Sequence, residues 1–275
     1  MLPGHAEPSS ATVRPRGLNL GDFLGQTLAV AEAEVRKLSH DPVELLTRAI
    51  QPTLWLLVFG QVMSQLRGIS SDGVSYRDFL APGILAQSVM FIAIFYGISV
   101  IWERDSGVLY KYMVSPAPRW ALVVGKALGS GVRSLTQASV IWILSALIGV
   151  HLRLELGAIL GMLILALLGS AIFVTLSLII ACLVKTRERF MGIGQLLTMP
   201  LFFASNAIYP ISLMPAWLRV VAHINPLTYL VDGLRALMLA GGSSAFGLGL
   251  DFAVLGLSTL LLVIIAARLY PTILT

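Results

Sequence analysis

One ionisable side chain lies inside an otherwise apolar stretch of the sequence, and it has polar company. Ser130, Arg133, Ser134 and Gln137 follow the i, i+3, i+4, i+7 spacing that puts side chains on one face of a helix. A mid-bilayer arginine costs roughly 2.5–3.5 kcal/mol on insertion scales, so this stripe must meet protein, water or headgroups. Either it contributes to a substrate path, or Arg133 snorkels to a nearby membrane edge and fixes packing. A single arginine so close to the edge favours the anchor. Catalytic parts are missing elsewhere. A phosphate-cradling loop needs Gly-x4-Gly-Lys-Ser/Thr, and here Ala127 follows Gly125-Lys126. There is no Ser-centred nucleophile elbow, no His-Glu-x-x-His helix and no carboxylate pair within an apolar run. His5, His40, His151 and His223 are scattered without metal-ligand spacing, and Cys182 has no second cysteine to pair with. The reading is that no residue is catalytic and none binds a metal.

A second constellation is denser. Glu103-Arg104-Asp105-Ser106-Gly107 follows directly on Ala81–Trp102, which carries no formal charge, and Pro116 and Pro118 break the chain before Arg119. A charged amphipathic helix over Glu103–Val114, held between two spans, would serve as a lever for a soluble partner. Composition alone reads the same residues as a solvated loop.

These residues need a scaffold, and composition limits what it can be. The chain has 275 residues, 57% hydrophobic and 12% charged, with a mean hydropathy of +0.86. Soluble domains carry roughly 25% charged residues, so too little polar surface is left to coat a globule. The fold class is an all-α membrane protein. Spans of about 20 apolar residues are read over 45–65, 81–102, 123–150, 157–184, 191–211 and 251–269. Six spans and their loops leave no room for a separate catalytic domain. Residues 1–17 read as a flexible tail and 18–275 as one transmembrane domain. Leu20, Leu24, Leu28, Ala31, Val35 and Leu38 lie at helical spacing among charges, an amphipathic helix along the interface rather than across it. Pro215–Leu239 splits at Asn225-Pro226 into two pieces too short to cross, a re-entrant or interfacial hairpin.

Orientation follows from basic residues near the spans. Arg36, Lys37, Arg48, Arg104, Lys111, Arg119, Lys126, Lys185, Arg187, Arg189 and Arg268 fall on one side, against Arg67, Arg77, Arg153, Arg219 and Arg235 on the other. The positive-inside rule puts both termini in the cytoplasm, as an even span number requires. The net charge of +5 is thereby spent on membrane flanks, and no nucleic acid is expected as a partner.

Trp102-Glu103-Arg104-Asp105-Ser106-Gly107-Val108-Leu109, then Val114-Ser115-Pro116, then Gly125-Lys126, resembles the cytoplasmic loop of type-2 ATP-binding-cassette exporter permeases. That loop typically reads Glu-Arg-Glu-x-Gly-Thr-Leu, then Ser-Pro, then Gly-Lys. Asn225-Pro226-Leu227-Thr228-Tyr229-Leu230-Val231-Asp232-Gly233-Leu234-Arg235 resembles the family's second recurring segment. Both lie in order, and the likeness covers about 18–269. Asp105 and Val108 depart from the commoner Glu and Thr, and Lys111-Tyr112 is more aromatic than usual.

The resemblance implies a connecting helix before span one and an outer re-entrant hairpin carrying Asn225, Pro226, Tyr229, Asp232 and Arg235. It also implies a coupling helix whose Glu103, Arg104, Asp105, Gly107, Leu109, Val114, Ser115 and Pro116 meet an ATPase subunit. Two permease copies, identical or not, would work with two separate ATPase subunits in the plasma (inner) membrane. ATP and Mg would sit in those subunits and no cofactor in this chain. The cargo implied is amphipathic or lipid-like (a drug, glycolipid or polyketide), with polysaccharide the other cargo of this architecture. An ATP-independent carrier should instead show symmetrical broken spans, and an intramembrane enzyme clustered catalytic side chains. Neither is evident.

Overall fold

A bilayer offers backbone N–H and C=O groups no partner but each other, so apolar runs of this length must coil. The computed structural model describes residues 50–64, 75–107 and 119–270, with the single positions Gly25, Glu32, Arg36 and Thr47. Among the described residues every regular element is helical, and extended pairing is confined to one bridge, Leu152 to Leu239. The helices are α1 (Ile50–Met63), α2 (Tyr76–Tyr96), α3 (Ile98–Asp105), α4 (Arg119–Leu147) and α5 (Leu156–Leu183). After them come α6 (Arg187–Phe203), α7 (Ala216–Ile224), α8 (Pro226–Met238) and α9 (Leu248–Leu269).

Among the described residues, three stretches are long and apolar enough to cross a membrane: Tyr76–Asp105, Leu156–Leu183 and Leu248–Leu269. The other expected spans are shorter or more polar. α4 has 29 residues but carries Lys126, Arg133 and the polar stripe. α6 has only 17 residues and stops at Phe203, not at the expected Ile211. Pro200 has no N–H for the ladder and crowds the preceding turn, and Ser205 Oγ then takes the Phe202 carbonyl at 2.7 Å. α1 contains a π turn over Trp55–Phe59 just beyond Pro52.

α2 and α3 stack end to end through Gly97 into one rod of 30 residues, about 45 Å long. The rod begins earlier than the sequence suggests. Asp78, outside the expected span 81–102, sits in its first turn, where an acid suits the positive end of the helix dipole. The rod is also the centre of the bundle, 78% buried over its most apolar window, against 61% for α5 and 17% for α9. Lipid tails are as apolar as leucine, so close approach at small residues has to hold such helices together. A Cβ on Gly83 would stand 2.8 Å from Ala207 Cα, and one on Gly97 would overlap the Ser177 hydroxyl.

Two expectations meet their elements differently. Glu103–Asp105 form the last turn of α3, and the chain then turns at Ser106-Gly107, with Gly107 at φ 74°. A single coupling helix over Glu103–Val114 is therefore not what the chain builds, because the helix that holds Glu103 ends at Asp105. Leu109, Val114, Ser115 and Pro116 lie outside the described residues, as do the tail 1–17 and most of Leu18–Leu38. At Gly25, Glu32 and Arg36 the backbone is helical and exposed, and Arg36 donates to Glu32 at 2.9 Å.

Candidate functional site

Three consecutive residues at the end of α3 reach three different parts of the bundle. Glu103 is buried and its carboxylate pairs with Lys126 Nζ of α4 at 2.8 Å. Arg104 donates to the carbonyls of Val184, at 3.4 Å, and Lys185, satisfying acceptors left open where α5 ends. Asp105 accepts two bonds from Arg187 in the first turn of α6, at 3.2 Å and 2.9 Å. The Arg187 guanidinium also stacks on Trp102, 3.4 Å from the ring centroid. Glu-Arg-Asp thus ties α3 to α4, α5 and α6 at one end of the molecule. The sequence reading counts Lys126 among flanking charges. The missed signal is its place within an apolar helix, where a cation needs an acid nearby.

The polar stripe of α4 divides. Ser130 and Ser134 are fully buried and both reach Ser170 of α5, at 3.2 Å and 2.9 Å. Bonds of this kind between membrane helices average about 0.6 kcal/mol each, and these two join α4 to α5. Arg133 lies 5.5 Å from the Tyr96 ring centroid. Gln137 turns away to line a cavity between α1, α2, α4 and α6.

At the opposite end the Asn225-Pro226 segment is a knot of helix ends. The Asn225 side chain accepts from Leu227 N at 3.0 Å, capping α8, while its Nδ2 donates to Leu201 O at 2.7 Å and Ala204 O at 3.1 Å. Pro226 opens α8, where its missing N–H costs nothing. The Tyr229 hydroxyl returns to His223 O at 2.8 Å, closing α7 against α8. Arg235 donates to Asn206 O at 2.8 Å and lies over Phe79, 4.1 Å from its centroid. Burial lowers its pKa to about 10, with Asp232 opposing, so it stays charged at neutral pH.

Asp232 also meets a partner that sequence reasoning missed. Ser244 Oγ stands 2.8 Å from Asp232 Oδ2 and 2.8 Å from Asp251 Oδ2, and accepts from Gly247 N at 2.7 Å. The Ser244 hydroxyl thus joins the two carboxylates, one on α8 and one on α9. The signal available in the sequence was Asp251, an acid at the start of an apolar run.

The model of the ABC-2 type transporter family matches residues 25–239, from before α1 to the end of the α7–α8 hairpin. The chain belongs to this family. It is 28% identical over 248 residues to the putative transport permease ycf38 of Cyanophora paradoxa, covering 88% of this chain and 85% of that one. It is 27% identical over 205 residues to the daunorubicin resistance ABC transporter permease protein DrrB1 of Streptomyces coeruleorubidus, covering 72% and 70%. Nodulation protein J of Rhizobium leguminosarum bv. viciae is 27% identical over 201 residues, covering 71% and 74%. As an ABC-2 permease, the chain is the membrane subunit of a transporter and not itself an enzyme. The Glu-Arg-Asp junction and the α7–α8 hairpin both fall inside the matched residues.

Proposed function

We propose that this ABC-2 permease is the membrane pathway of an ATP-driven exporter, with its Glu103–Lys126 end in the cytoplasm and both termini there. Two copies, identical or paired with a related chain, would enclose the path in the plasma (inner) membrane. Two separate ATP-binding subunits would hold the ATP and Mg. The cargo is amphipathic or lipid-like and moves outward. One relative is named a daunorubicin resistance permease, which accords with such a cargo.

The observation that carries this reading is the junction at the end of α3. ATP binding can shift the permease only through contacts that differ between its two states. A push on the segment after Gly107 reaches Asp105, Arg104 and Glu103 in turn, and these are tied to α6, α5 and α4. In this reading Leu109, Val114, Ser115 and Pro116, with Gly107, meet the ATP-binding subunit. Arg104 and Asp105 pass the motion on, and Glu103 acts from inside through Lys126.

Co-expression with a candidate ABC ATP-binding subunit from the same genome tests it. The tagged permease should capture that subunit, and cargo should stimulate ATP hydrolysis. In Glu103→Gln, insertion and capture should persist while transport falls at least tenfold. Failure of the unmodified chain to capture any ATP-binding subunit, or full transport in Glu103→Gln, would overturn the reading.

A further inference from the structure

The cavity that Gln137 lines has a volume of 540 Å³, within the range of about 300–1,000 Å³ usual for small-molecule sites. Four of its lining residues are glutamines on four different helices: Gln51 of α1, Gln87 of α2, Gln137 of α4 and Gln195 of α6. Phe91 and Phe95 of α2 supply an aromatic wall, their ring centroids 5.9 Å apart and their planes 30° from parallel. Among the described residues, no Asp, Glu, Lys, Arg or His lines it.

Two of the glutamines are deeply buried, Gln87 at 3% exposure and Gln137 at 1%. Oε1 of Gln87 and both carboxamide atoms of Gln137 find no hydrogen-bond partner within the protein. An unpaired buried amide costs about 1–3 kcal/mol. Leucine would fill either position without that cost, so these carboxamides need another explanation than packing.

We infer that the cavity is a cargo subsite selective for uncharged amphipaths bearing both hydrogen-bond donors and acceptors on a flat apolar body. The inference rests on the reading of the chain as a transporter and names its cargo chemistry. A carboxamide donates through its nitrogen and accepts through its oxygen, yet carries no charge. Hydroxyls, ketones and amides match it. An ion does not. An anion or cation placed here would meet no countercharge among the described lining residues, at an effective cost of several kcal/mol. The two phenylalanines return about 0.5–2 kcal/mol to a cation, too little to reverse that balance.

The test uses the full chain in lipid nanodiscs and three probes of similar size. These are 1,4-dihydroxyanthraquinone, its trimethylammonium-bearing derivative, and anthracene, which lacks hydrogen-bonding groups. The uncharged quinone should bind saturably above empty nanodiscs, at least tenfold tighter than either of the others. The double variant Gln87→Leu/Gln137→Leu should weaken it at least tenfold while anthracene binding stays level, and its unfolding temperature should not fall. If the double variant is unstable, Gln137→Met alone should still weaken the quinone severalfold. Equal affinity for the trimethylammonium derivative, unchanged quinone binding in the leucine variant, or a signal no larger than that of empty nanodiscs would overturn the inference. No ATP-binding subunit enters this assay. Lost binding with subunit capture intact therefore sinks the cargo class alone, and lost capture with binding intact sinks the exporter reading alone.

Discussion

Glu103 and Lys126 neutralise each other where neither reaches solvent freely; their side chains are 11% and 4% exposed. Removing one partner strands the other charge, which is far worse than removing both. Lys126→Met should therefore destabilise the chain by about 3–5 kcal/mol. The double change Glu103→Gln/Lys126→Met should recover most of that loss. The fraction of monodisperse protein surviving a heating series in detergent measures both. A single variant as stable as the unmodified chain would mean that the pair does not hold. Glu103 itself was legible in the sequence, because charge appears there directly after an uncharged run. Its partner was not, since the pairing depends on how α3 and α4 cross. The Ser130–Gln137 stripe was legible for the same reason of spacing. Its division between Ser170 and the cavity was hidden, because periodicity describes one helix and Ser170 lies on another.

Among the elements, α7 and α8 have 9 and 13 residues, short of the about 20 needed to cross. Neither can cross alone, and in the proposed topology the pair returns to the outer side. Ser243 lies exposed in the turn between α8 and α9, and it is the place to test that. A Ser243→Cys change in a Cys182→Ser background should react with an impermeant thiol reagent from outside intact cells. Labelling only after the cytoplasmic side is opened would mean that the hairpin spans. The break at Asn225-Pro226 was readable because proline cannot continue a helix it does not start. The end of α6 was harder to read, as apolar residues run on past Pro200 and hydropathy hides the stop. Gly107 was equally hard to weigh: only the backbone shows that it turns the chain out of α3.

For the molecule as a whole, composition and charge were enough to indicate a helical membrane protein, and the ordering of its helices from centre to edge was not. Burial falls from the α2–α3 rod through α5 to α9, where only 17% of the most apolar window is covered. Within α9 the fully buried residues are Asp251, Leu255 and Ala266, and half-buried Phe252, Val254, Leu262 and Val263 pack beside them, so it holds on by one face only. That has a mechanical consequence. Drawn out of a bilayer by its C-terminus, the chain should yield in steps, with α9 leaving first and alone. The first gain in contour length should correspond to its 22 residues, each about 3.5 Å when extended. The Asp232–Ser244–Asp251 linkage is the catch at its far end. Ser244→Ala should lower the force of the release that follows without changing the length gained. A first step that draws out α8 and α9 together would show that the edge of the bundle is as firmly set as its centre.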